Sequence, residues 1–373
     1  MKVSNFLTGA ASVVLALATT ATLQSCSNED NSLSHEEIIE LQEQRLDQME
    51  QEKYPGELII KEFNVGGGYK TIEGNKTYSW CKGLVLYNNG ATAVTHKNLA
   101  IGTIPPGNAH ANNGNYEDGE LVYENEDYVP MIYAIWYNPN SVTVKPFEDL
   151  VIAINGAVDH SAIATGAFDL SKPEYHAMYD PESQYINPNA YPEPAAGIPA
   201  ANYWKAAVFG LGNAWAISVM CPNFILFQFP EGVDPAAYCA APENAWYDAG
   251  KQIAANYCVK IPKAWIIDGV ESYRTTMIDY SVKRLPASID TGYALYNSNK
   301  GYSAYSNVDK KATESLRNNA DKLIYNYDQA VEGTSDASGI DAAASLKNGA
   351  KIIYKDTDNS TADFHLRKDW SLK

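Results

Sequence analysis

Basic residues are scarce in this chain. Lysine and arginine together number 28, against 45 aspartate and glutamate residues, and the formal net charge is −17. The pI is near 4.8. Nucleic-acid binding requires a basic footprint on the protein surface. The composition therefore excludes nucleic acid as an expected partner.

The sequence also lacks the local motifs of common catalytic and metal sites. No two cysteines form a C-x-x-C pair, which argues against zinc. His35-Glu36 begins like a zinc-protease helix, but Ile39 stands where the second histidine is required. Asp159-His160-Ser161 contains triad residue types, yet neighbours on a strand point to opposite faces and no G-x-S-x-G elbow occurs. Gly66-Gly67-Gly68 lacks the lysine of a phosphate loop and is predicted to be a turn or bulge. We therefore expect a non-enzymatic protein with no catalytic residues, no metal ion and no cofactor.

The N-terminal segment has the order of a lipoprotein leader. Lys2 precedes an apolar stretch, Phe6–Leu23, which threonine and serine make too thin for a permanent membrane span. The stretch closes on Leu23-Gln24-Ser25-Cys26, with a small residue directly before the cysteine. This pattern predicts a signal peptide over residues 1–25 and lipid attachment at Cys26. The alternative is an ordinary secretory signal in which Cys26 has no role.

Acidic and small polar residues follow the predicted lipid cysteine. Ser27-Asn28-Glu29-Asp30-Asn31 resembles the export tag that sends Bacteroidetes lipoproteins to the outer face of the outer membrane. We expect a protein that is lipid-anchored in the outer membrane and displayed on the cell surface. A short acidic run can also be a simple solvated linker.

The remaining cysteines leave two possibilities open. An oxidising envelope would permit two disulfides in any of three connectivities, whereas an anaerobic cell could leave all the thiols reduced and buried. The cysteines concerned are Cys81, Cys221, Cys239 and Cys258.

The hydrophobic pattern predicts a short helix followed by a β-rich body. Residues 34–53 are predicted to be helical, with Ser34 as the N-cap, so residues 26–56 would form an anchor, linker and stalk helix. Residues 57–373 are predicted to be a single domain, mostly antiparallel β and arranged as a sandwich. Residues 160–213 are predicted to be a long irregular insertion, and residues 234–257 and 309–325 to contain helical patches. Strands are predicted at Leu58–Phe63, Gly83–Tyr87, Thr92–Ile101, Met131–Tyr137, Leu150–Asn155, Ala214–Met220, Phe224–Phe229, Lys263–Ile267, Tyr280–Lys283 and Ala350–Lys355.

Three groups of residues are candidates for ligand contact. Residues 356–360 with Asp363 offer closely spaced oxygen ligands for a hard cation, although a turn capped by Asp and Asn side chains explains them as well. The acidic stretches 117–120 and 124–127 fit a solvated hairpin, a calcium site or a surface for a basic partner. Exposed aromatic rings could stack on a ligand, although most aromatic residues belong to cores; the candidates are Tyr185, Tyr191, Tyr203, Trp204, Trp246 and Tyr247.

Several segments, in this order, resemble an uncharacterised Bacteroides lipoprotein family with a lamin-tail-like domain. The likeness spans residues 57–364. It implies an immunoglobulin-like β-sandwich on the cell surface, often associated with TonB-dependent receptors, and it supplies no catalytic residues. The segments are Leu58–Gly67, Lys82–Gly90, Val144–Ala153, Ile261–Glu271 and Tyr354–Phe364.

Two functional hypotheses follow from the sequence. The leading one is a non-enzymatic surface lipoprotein that serves as a binding or accessory subunit of a TonB-dependent nutrient uptake system, with an unknown ligand. The alternative is a structural or adhesive cell-surface protein.

Overall fold

The computed structural model describes residues 33–372, and its first element is helix α1 (His35–Lys53). The Ser34 side chain accepts a hydrogen bond from the Glu37 N–H at 3.2 Å, and the Glu37 carboxylate accepts one from the Ser34 N–H at 2.7 Å. This reciprocal pair is a capping box, which satisfies two amide groups at the helix start. The predicted helix and its cap are confirmed. Within the described residues, no helix is both long enough and apolar enough to cross a membrane.

The chain divides into two compact units after Pro55, and the second of these, which begins at Gly56, is called the body below. Four further α-helices lie in its described part: α2 (Pro235–Ala240), α3 (Lys310–Glu314), α4 (Ala342–Lys347) and α5 (Ser360–Asp363). Its strands are β1 (Leu58–Asn64), β2 (Tyr69–Thr71), β3 (Thr77–Tyr78), β4 (Gly83–Asn88), β5 (Val94–Lys97), β6 (Leu99–Gly102), β7 (Tyr116–Glu117), β8 (Glu120–Leu121), β9 (Tyr128–Ile132), β10 (Ala134–Tyr137), β11 (Ser141–Val144), β12 (Asp149–Ala153), β13 (Ala164–Thr165), β14 (His176–Met178), β15 (Tyr203–Val208), β16 (Asn223–Gln228), β17 (Ala245–Tyr247), β18 (Tyr257–Pro262), β19 (Ile266–Arg274), β20 (Ala294–Tyr296), β21 (Ser303–Ser306) and β22 (Phe364–Arg367).

One twelve-stranded sheet dominates the body. Its strand order is β20-β19-β16-β6-β10-β15-β14-β12-β4-β1-β21-β22. The pairs β12/β14, β14/β15 and β19/β20 are parallel, and the other neighbours are antiparallel. The prediction of a mainly β protein is confirmed, with 30% strand and 18% helix. The finer prediction of a lamin-tail-like sandwich stays a prediction.

The sheet curls until its two edges approach each other. The ring of Phe63 on β1 lies 5.4 Å from Tyr296 on the edge strand β20 and 6.2 Å from Phe364 on the opposite edge strand β22. The Tyr296 hydroxyl accepts hydrogen bonds from the Val65 and Gly66 N–H groups, both at 2.8 Å. The curled sheet wraps around a single large apolar core. Aromatic residues contribute much of the buried area in such a core.

Strand β1 is buried on both faces, so even its charged residues need internal partners. Ile60 and Phe63 belong to the large core, whereas Ile59 packs in a second cluster with Tyr87 and residues of the C-terminal segment. The Lys61 ammonium lies 2.5 Å from the Asp149 carboxylate. It also lies 5.4 to 5.9 Å from the centroids of three tyrosine rings, those of Tyr87, Tyr305 and Tyr354. The carboxylate and the rings together compensate the buried charge.

The structure corrects five of the secondary-structure predictions. Residues 160–213, predicted to be irregular, contain β14 and β15 of the large sheet. Strand β15 was missed because Ala206 and Ala207 have little strand preference and the burial of the strand does not alternate. The predicted strands 214–220 and 280–283 are wrong, and in 350–355 only Tyr354 forms a bridge. In 263–267, Lys263–Trp265 is a single 3-10 turn, and β19 begins only at Ile266.

Two of these segments are apolar because they contribute to buried clusters, 214–220 through Trp215 and 350–355 through Ile352 and Tyr354. Segment 280–283 does not, since Tyr280 is 71% exposed and Val282 is 37% exposed.

A buried ion pair joins distant segments at one end of the sheet. Arg284 and Glu271 are both fully buried, with 3.2 Å between Nε and the carboxylate. Lys283 lies 2.5 Å from the other carboxylate oxygen. The Arg284 guanidinium also donates to the carbonyl oxygen of Cys221 at 3.1 Å and to that of Ser272 at 3.3 Å. The charge is thus matched and its donors are used, as a buried ion pair requires.

Replacing the buried arginine should destabilise the body strongly. We expect Arg284→Met to lower the free energy of unfolding by about 3 kcal/mol, the lower end of the range for broken buried pairs, because Lys283 still contacts the carboxylate. Urea unfolding followed by tryptophan fluorescence measures this change.

The matched control is Lys205→Met. Lys205 forms a 3.0 Å pair with Glu182, but the two side chains are 47% and 80% exposed. Exposed pairs contribute little to stability, so this variant should unfold close to the wild-type urea midpoint. Equal losses in the two variants would show that the buried pair has no special role.

Candidate functional site

An alanine-floored groove lies between β15, α2 and β17. Two adjoining cavities of about 640 Å³ and about 700 Å³ form it. They share the lining residues Ala240, Tyr247, Gln252 and Tyr257. Both volumes lie in the range of small-molecule sites. We call this feature the aromatic groove.

The secondary structure places the aromatic side chains of the groove. Strands β17 and β18 pair antiparallel with Tyr247 opposite Tyr257, and the two rings meet edge to face at 5.7 Å. Phe209, directly after β15, lies 6.1 Å from the Tyr257 ring. Ile253 projects at the rim and is 57% exposed. The groove therefore presents flat rings and an exposed aliphatic side chain to a ligand.

Alanine creates the space beneath these rings. Helix α2 begins after Asp234, whose side chain accepts a hydrogen bond from the Ala237 N–H at 2.7 Å, and Pro235 occupies the first turn. The helix presents Ala236 and Ala240 to the groove, and β15 contributes two further alanines to the lining. Larger side chains at these positions would fill the cavity.

The aromatic groove is electrically neutral. Among the described residues that line it, none is acidic, basic or histidine. Its polar groups include the Gln252 amide, the two tyrosine hydroxyls and the Trp246 indole. Burial raises the pKa of the Cys239 thiol to about 12, and the nearby Asp234 carboxylate adds to the shift. The thiol therefore stays protonated at neutral pH and is not a nucleophile. This arrangement can bind a neutral molecule.

The candidate aromatic residues separate into two groups. Trp246 and Tyr247 line the groove. By contrast, Tyr185, Tyr191 and Trp204 are buried in the large core, where they cannot meet a ligand. Tyr203 is half-buried and packs edge-on against Tyr179 at 5.6 Å.

Sequence reasoning missed several groove residues, namely Phe209, Gln252, Ile253 and Tyr257. The available signal was an alanine-rich stretch, 236–245, close to aromatic residues on both sides.

The remaining sequence motifs have local structural roles. The His160 ring lies 2.6 Å from the Tyr78 hydroxyl and 2.7 Å from the Gly156 carbonyl, and Asp159 accepts a hydrogen bond from the Ser161 N–H. These contacts do not assemble a triad. Two residues of the glycine run adopt positive φ, 63° for Gly67 and 111° for Gly68, as expected for a turn.

The acidic segments are also used locally. Residues 117–120 form a small hairpin made of β7 and β8. The Asp363 carboxylate accepts hydrogen bonds from the Thr357 N–H at 2.8 Å and the Asn359 N–H at 3.3 Å, and Asn359 caps α5. This is the capped turn foreseen as one alternative. No group of three or more His, Cys, Asp or Glu residues in the described part of the chain could hold a metal ion.

All four cysteines of the body are free and buried, as the reduced alternative required. Burial raises the pKa of Cys81 to about 12 and the pKa of Cys258 well above its ordinary value. The predicted lipid-attachment residue, Cys26, lies outside the described residues.

Two carboxyl groups near the Thr357–Asp363 turn are buried in positions that disfavour their charged form. The pKa of Asp268 is raised to about 8 and that of Asp356 to about 7, in both cases chiefly by burial. The charge of Asp356 adds to the shift of Asp268, and Glu57 and Asp358 add to that of Asp356. The Asp268 carboxylate accepts a hydrogen bond from the Ile60 N–H at 2.6 Å, which ties it to β1.

The fold and the groove describe a mainly β protein with a neutral, aromatic-walled groove among its described residues. Residues 145–371 match the family described as "Protein of unknown function (DUF4876)". The chain belongs to this family.

A solved structure supports the same fold. The crystal structure of a DUF4876 family protein from Bacteroides thetaiotaomicron VPI-5482 is similar to this chain, with a TM-score of 0.57 and 19% identity, and the match covers 83% of this chain and 70% of that one. This supports the predicted membership of an uncharacterised Bacteroides family. No curated protein matches the chain.

The raised pKa values predict a pH-dependent stability. A carboxyl group whose folded-state pKa lies above its ordinary value binds its proton more tightly in the folded state. Its favourable contribution is therefore fully present below the ordinary pKa of 3.8 and is lost as the pH rises from there to about 7. We expect Asp356→Asn to raise the unfolding temperature most at pH 8.5, to raise it less at pH 5, and to leave it nearly unchanged below about pH 4.

The control for total charge is Asp118→Asn, since Asp118 lies at the exposed turn between β7 and β8. It removes one negative charge from the same acidic protein, so any general relief of repulsion should appear there too. If both variants shift the unfolding temperature equally, the effect is global and does not belong to the buried pair.

Proposed function

We propose that this protein is a non-enzymatic surface lipoprotein that binds a neutral ligand in its aromatic groove. In this proposal it serves as a binding or accessory subunit of a TonB-dependent nutrient uptake system at the outer membrane. The lamin-tail-like relationship of the body is part of the same proposal. The observation that carries it is the groove, which combines ligand-sized volume, flat aromatic walls and a lining without charged side chains.

The chemistry of the groove favours binding over catalysis. General acid–base catalysis needs an ionisable group within hydrogen-bonding reach of the substrate. The groove offers the Cys239 thiol, whose pKa is raised to about 12, and tyrosine hydroxyls, of which that of Tyr257 has a pKa raised chiefly by burial. Neither the Cys239 thiol nor the Tyr257 hydroxyl is ionised at neutral pH.

The same chemistry indicates the class of ligand. Flat rings favour a molecule with an apolar face, and the Gln252 amide with the two tyrosine hydroxyls favours hydroxyl or carbonyl groups at its edges. A charged ligand would lose its hydration without gaining an ion pair. A neutral oligosaccharide has the required combination of apolar ring faces and hydroxyl edges.

The membrane part of the proposal rests on the sequence around Cys26. Two or three acyl chains contribute roughly 20 kcal/mol of membrane affinity, at about 0.8 kcal/mol per buried CH₂. Such an anchor outweighs the repulsion between a body of charge −17 and an anionic membrane. The rival proposal, an adhesive surface protein, shares the anchor and differs in needing no soluble ligand.

Removing one groove tyrosine should weaken ligand binding without unfolding the body. We expect Tyr247→Ala to lower the affinity for neutral oligosaccharides about tenfold, which corresponds to about 1.4 kcal/mol. Binding is measured on an array of neutral and anionic oligosaccharides and then by calorimetry on the neutral sugars that bind.

The matched control is Tyr280→Ala, because Tyr280 is 71% exposed and does not line the groove. It should bind like the wild type. Absence of binding to every neutral sugar, or a preference for anionic ones, would contradict the proposed ligand class. Attachment to cells without binding to soluble sugars would favour the adhesive alternative.

Replacing the predicted lipid cysteine should change location and leave the body folded. Cys26→Ala removes the acceptor sulfur, and no other cysteine follows a leader sequence. We expect loss of fatty-acid labelling, loss of the protein from the membrane fraction and protection from external protease in intact cells. The unfolding temperature of the body should not change.

Ser27→Ala is the control, since it changes the neighbouring residue and keeps the cysteine. A Cys26→Ala protein that still incorporates fatty acid would show that the lipoprotein prediction is wrong. Partnership is tested separately by purification of the wild-type protein in mild detergent, where a TonB-dependent receptor should co-purify.

A further inference from the structure

A thiol and an imidazole meet outside the aromatic groove, just before strand β16. The Cys221 sulfur lies 3.7 Å from the His110 Nδ1 atom and 3.5 Å from the Asn108 side-chain oxygen. The Ala109 N–H donates a hydrogen bond to this sulfur at 3.1 Å. The sulfur thus has an acceptor for its proton in the thiol form and donors for its charge in the thiolate form.

Of the four thiols that the structure describes, Cys221 alone lies within hydrogen-bonding distance of an imidazole. The other three have pKa values raised by desolvation. Buried thiols in apolar surroundings are inert, whereas those beside an imidazole or another cation can react as thiolates. Cys221 lies in a small apolar cluster with Ala109 and Tyr273, and the His110 imidazole distinguishes it from the other three thiols.

Hydrogen bonds from neighbouring side chains hold the turn that carries the sulfur, and two arginines contact this turn. The Ser218 hydroxyl accepts a hydrogen bond from the Cys221 N–H at 3.0 Å and donates one to the Asn108 side chain. The Arg284 guanidinium donates to the Cys221 carbonyl at 3.1 Å, and Glu271 balances part of its charge. A second cation approaches the neighbouring residue, with the Arg274 guanidinium 3.5 Å from the Met220 sulfur.

The position of the pair limits the size of a reactant. The Cys221 side chain is 0% exposed, whereas His110 is half-buried. A bulky substrate cannot reach the sulfur, but a molecule with the dimensions of a hydroperoxide group needs little space. The partner chemistry is therefore a small oxidant, and the site is separate from the groove.

We propose that Cys221 and His110 form a peroxide-reactive thiol. His110 takes the thiol proton, and the sulfur attacks the terminal oxygen of a hydroperoxide, so that an S–O bond forms as the O–O bond breaks. The sulfur becomes a sulfenic acid and is thereby oxidised by two electrons. The other oxygen of the hydroperoxide leaves as an alkoxide or hydroxide. That leaving group takes the proton back from His110 to give an alcohol or water. The Ala109 N–H and the Asn108 oxygen remain in place to hold the sulfenic acid.

The test is the rate of sulfenic acid formation at each cysteine of the full-length protein. Native protein is treated with dilute hydrogen peroxide, the peroxide is removed, and the protein is then unfolded in the presence of dimedone, so that the adducts quantified by peptide mass spectrometry report oxidation of the native fold. We expect Cys221 to react at least tenfold faster than Cys81, Cys239 and Cys258. His110→Ala should slow the reaction about tenfold at pH 6 and much less at pH 9, where hydroxide replaces the lost base.

The control variant is His96→Ala, whose imidazole hydrogen-bonds to Gln228 instead of a thiol. It should react like the wild type at both pH values. His110→Gln keeps a polar side chain and separates loss of the base from loss of packing. The unfolding temperature of the His110→Gln variant is measured to check that this variant is folded. Equal labelling of all four thiols, labelling of Cys221 only when the protein is unfolded before the peroxide is added, or an unchanged pH profile in both His110 variants would overturn the proposal.

Discussion

The buried Arg284 guanidinium is the constraint on which one end of the molecule depends. A guanidinium cannot lose its charge in a protein, so its donors must meet acceptors wherever it is buried. Here the acceptors are the Glu271 carboxylate and the backbone carbonyls of Gly107, Cys221 and Ser272. Because these segments are far apart in sequence, one side chain fixes the loop before Asn108, the turn before β16 and strand β19 together. The contacts of Arg284 with the Gly107 and Cys221 carbonyls thus help to position the Cys221 thiol beside the His110 imidazole.

Charge burial recurs across the body and follows from the curled sheet. A sheet that wraps around its own core and is covered outside by loops leaves β1 no solvent-facing side. Lys61 is therefore paired with Asp149, and the Glu62 carboxylate accepts hydrogen bonds from two serines, Ser303 and Ser371. Asp268 accepts hydrogen bonds from the Ile60 and Gly269 N–H groups, but burial and the charge of Asp356 still raise its pKa to about 8. At neutral pH the buried Asp268 carboxyl therefore lowers the free energy of unfolding, while its hydrogen bond from the Ile60 N–H still connects it to β1.

Local sequence signals predicted two kinds of element. One is the helix whose cap lies next to it in the chain, and the other is the strand whose residues are all buried and nearly all apolar. Ser34 as N-cap and the helical spacing of the apolar residues marked α1, and the apolar run Gly83–Tyr87 marked β4. The structure adds that Asn89 forms two hydrogen bonds with the Tyr354 backbone, far along the chain. The aromatic groove and the thiol–imidazole pair could not be predicted, because Ala207 meets Tyr257, and His110 meets Cys221, only after folding. Single-sequence periodicity carries no information about such distant contacts.

The two candidate sites divide the chemistry of the molecule between them. The groove has room for a ligand but lacks an ionised group, while the thiol site has an activated group but lacks room. A catalyst needs both properties in one place, since the reacting atoms must lie within about 3 to 3.5 Å of the catalytic group. In the two proposals, accordingly, the groove binds one molecule and Cys221 reacts with an oxidant small enough to reach it. An oxidised Cys221 would then alter the turn held by Arg284 while the groove lining stays intact.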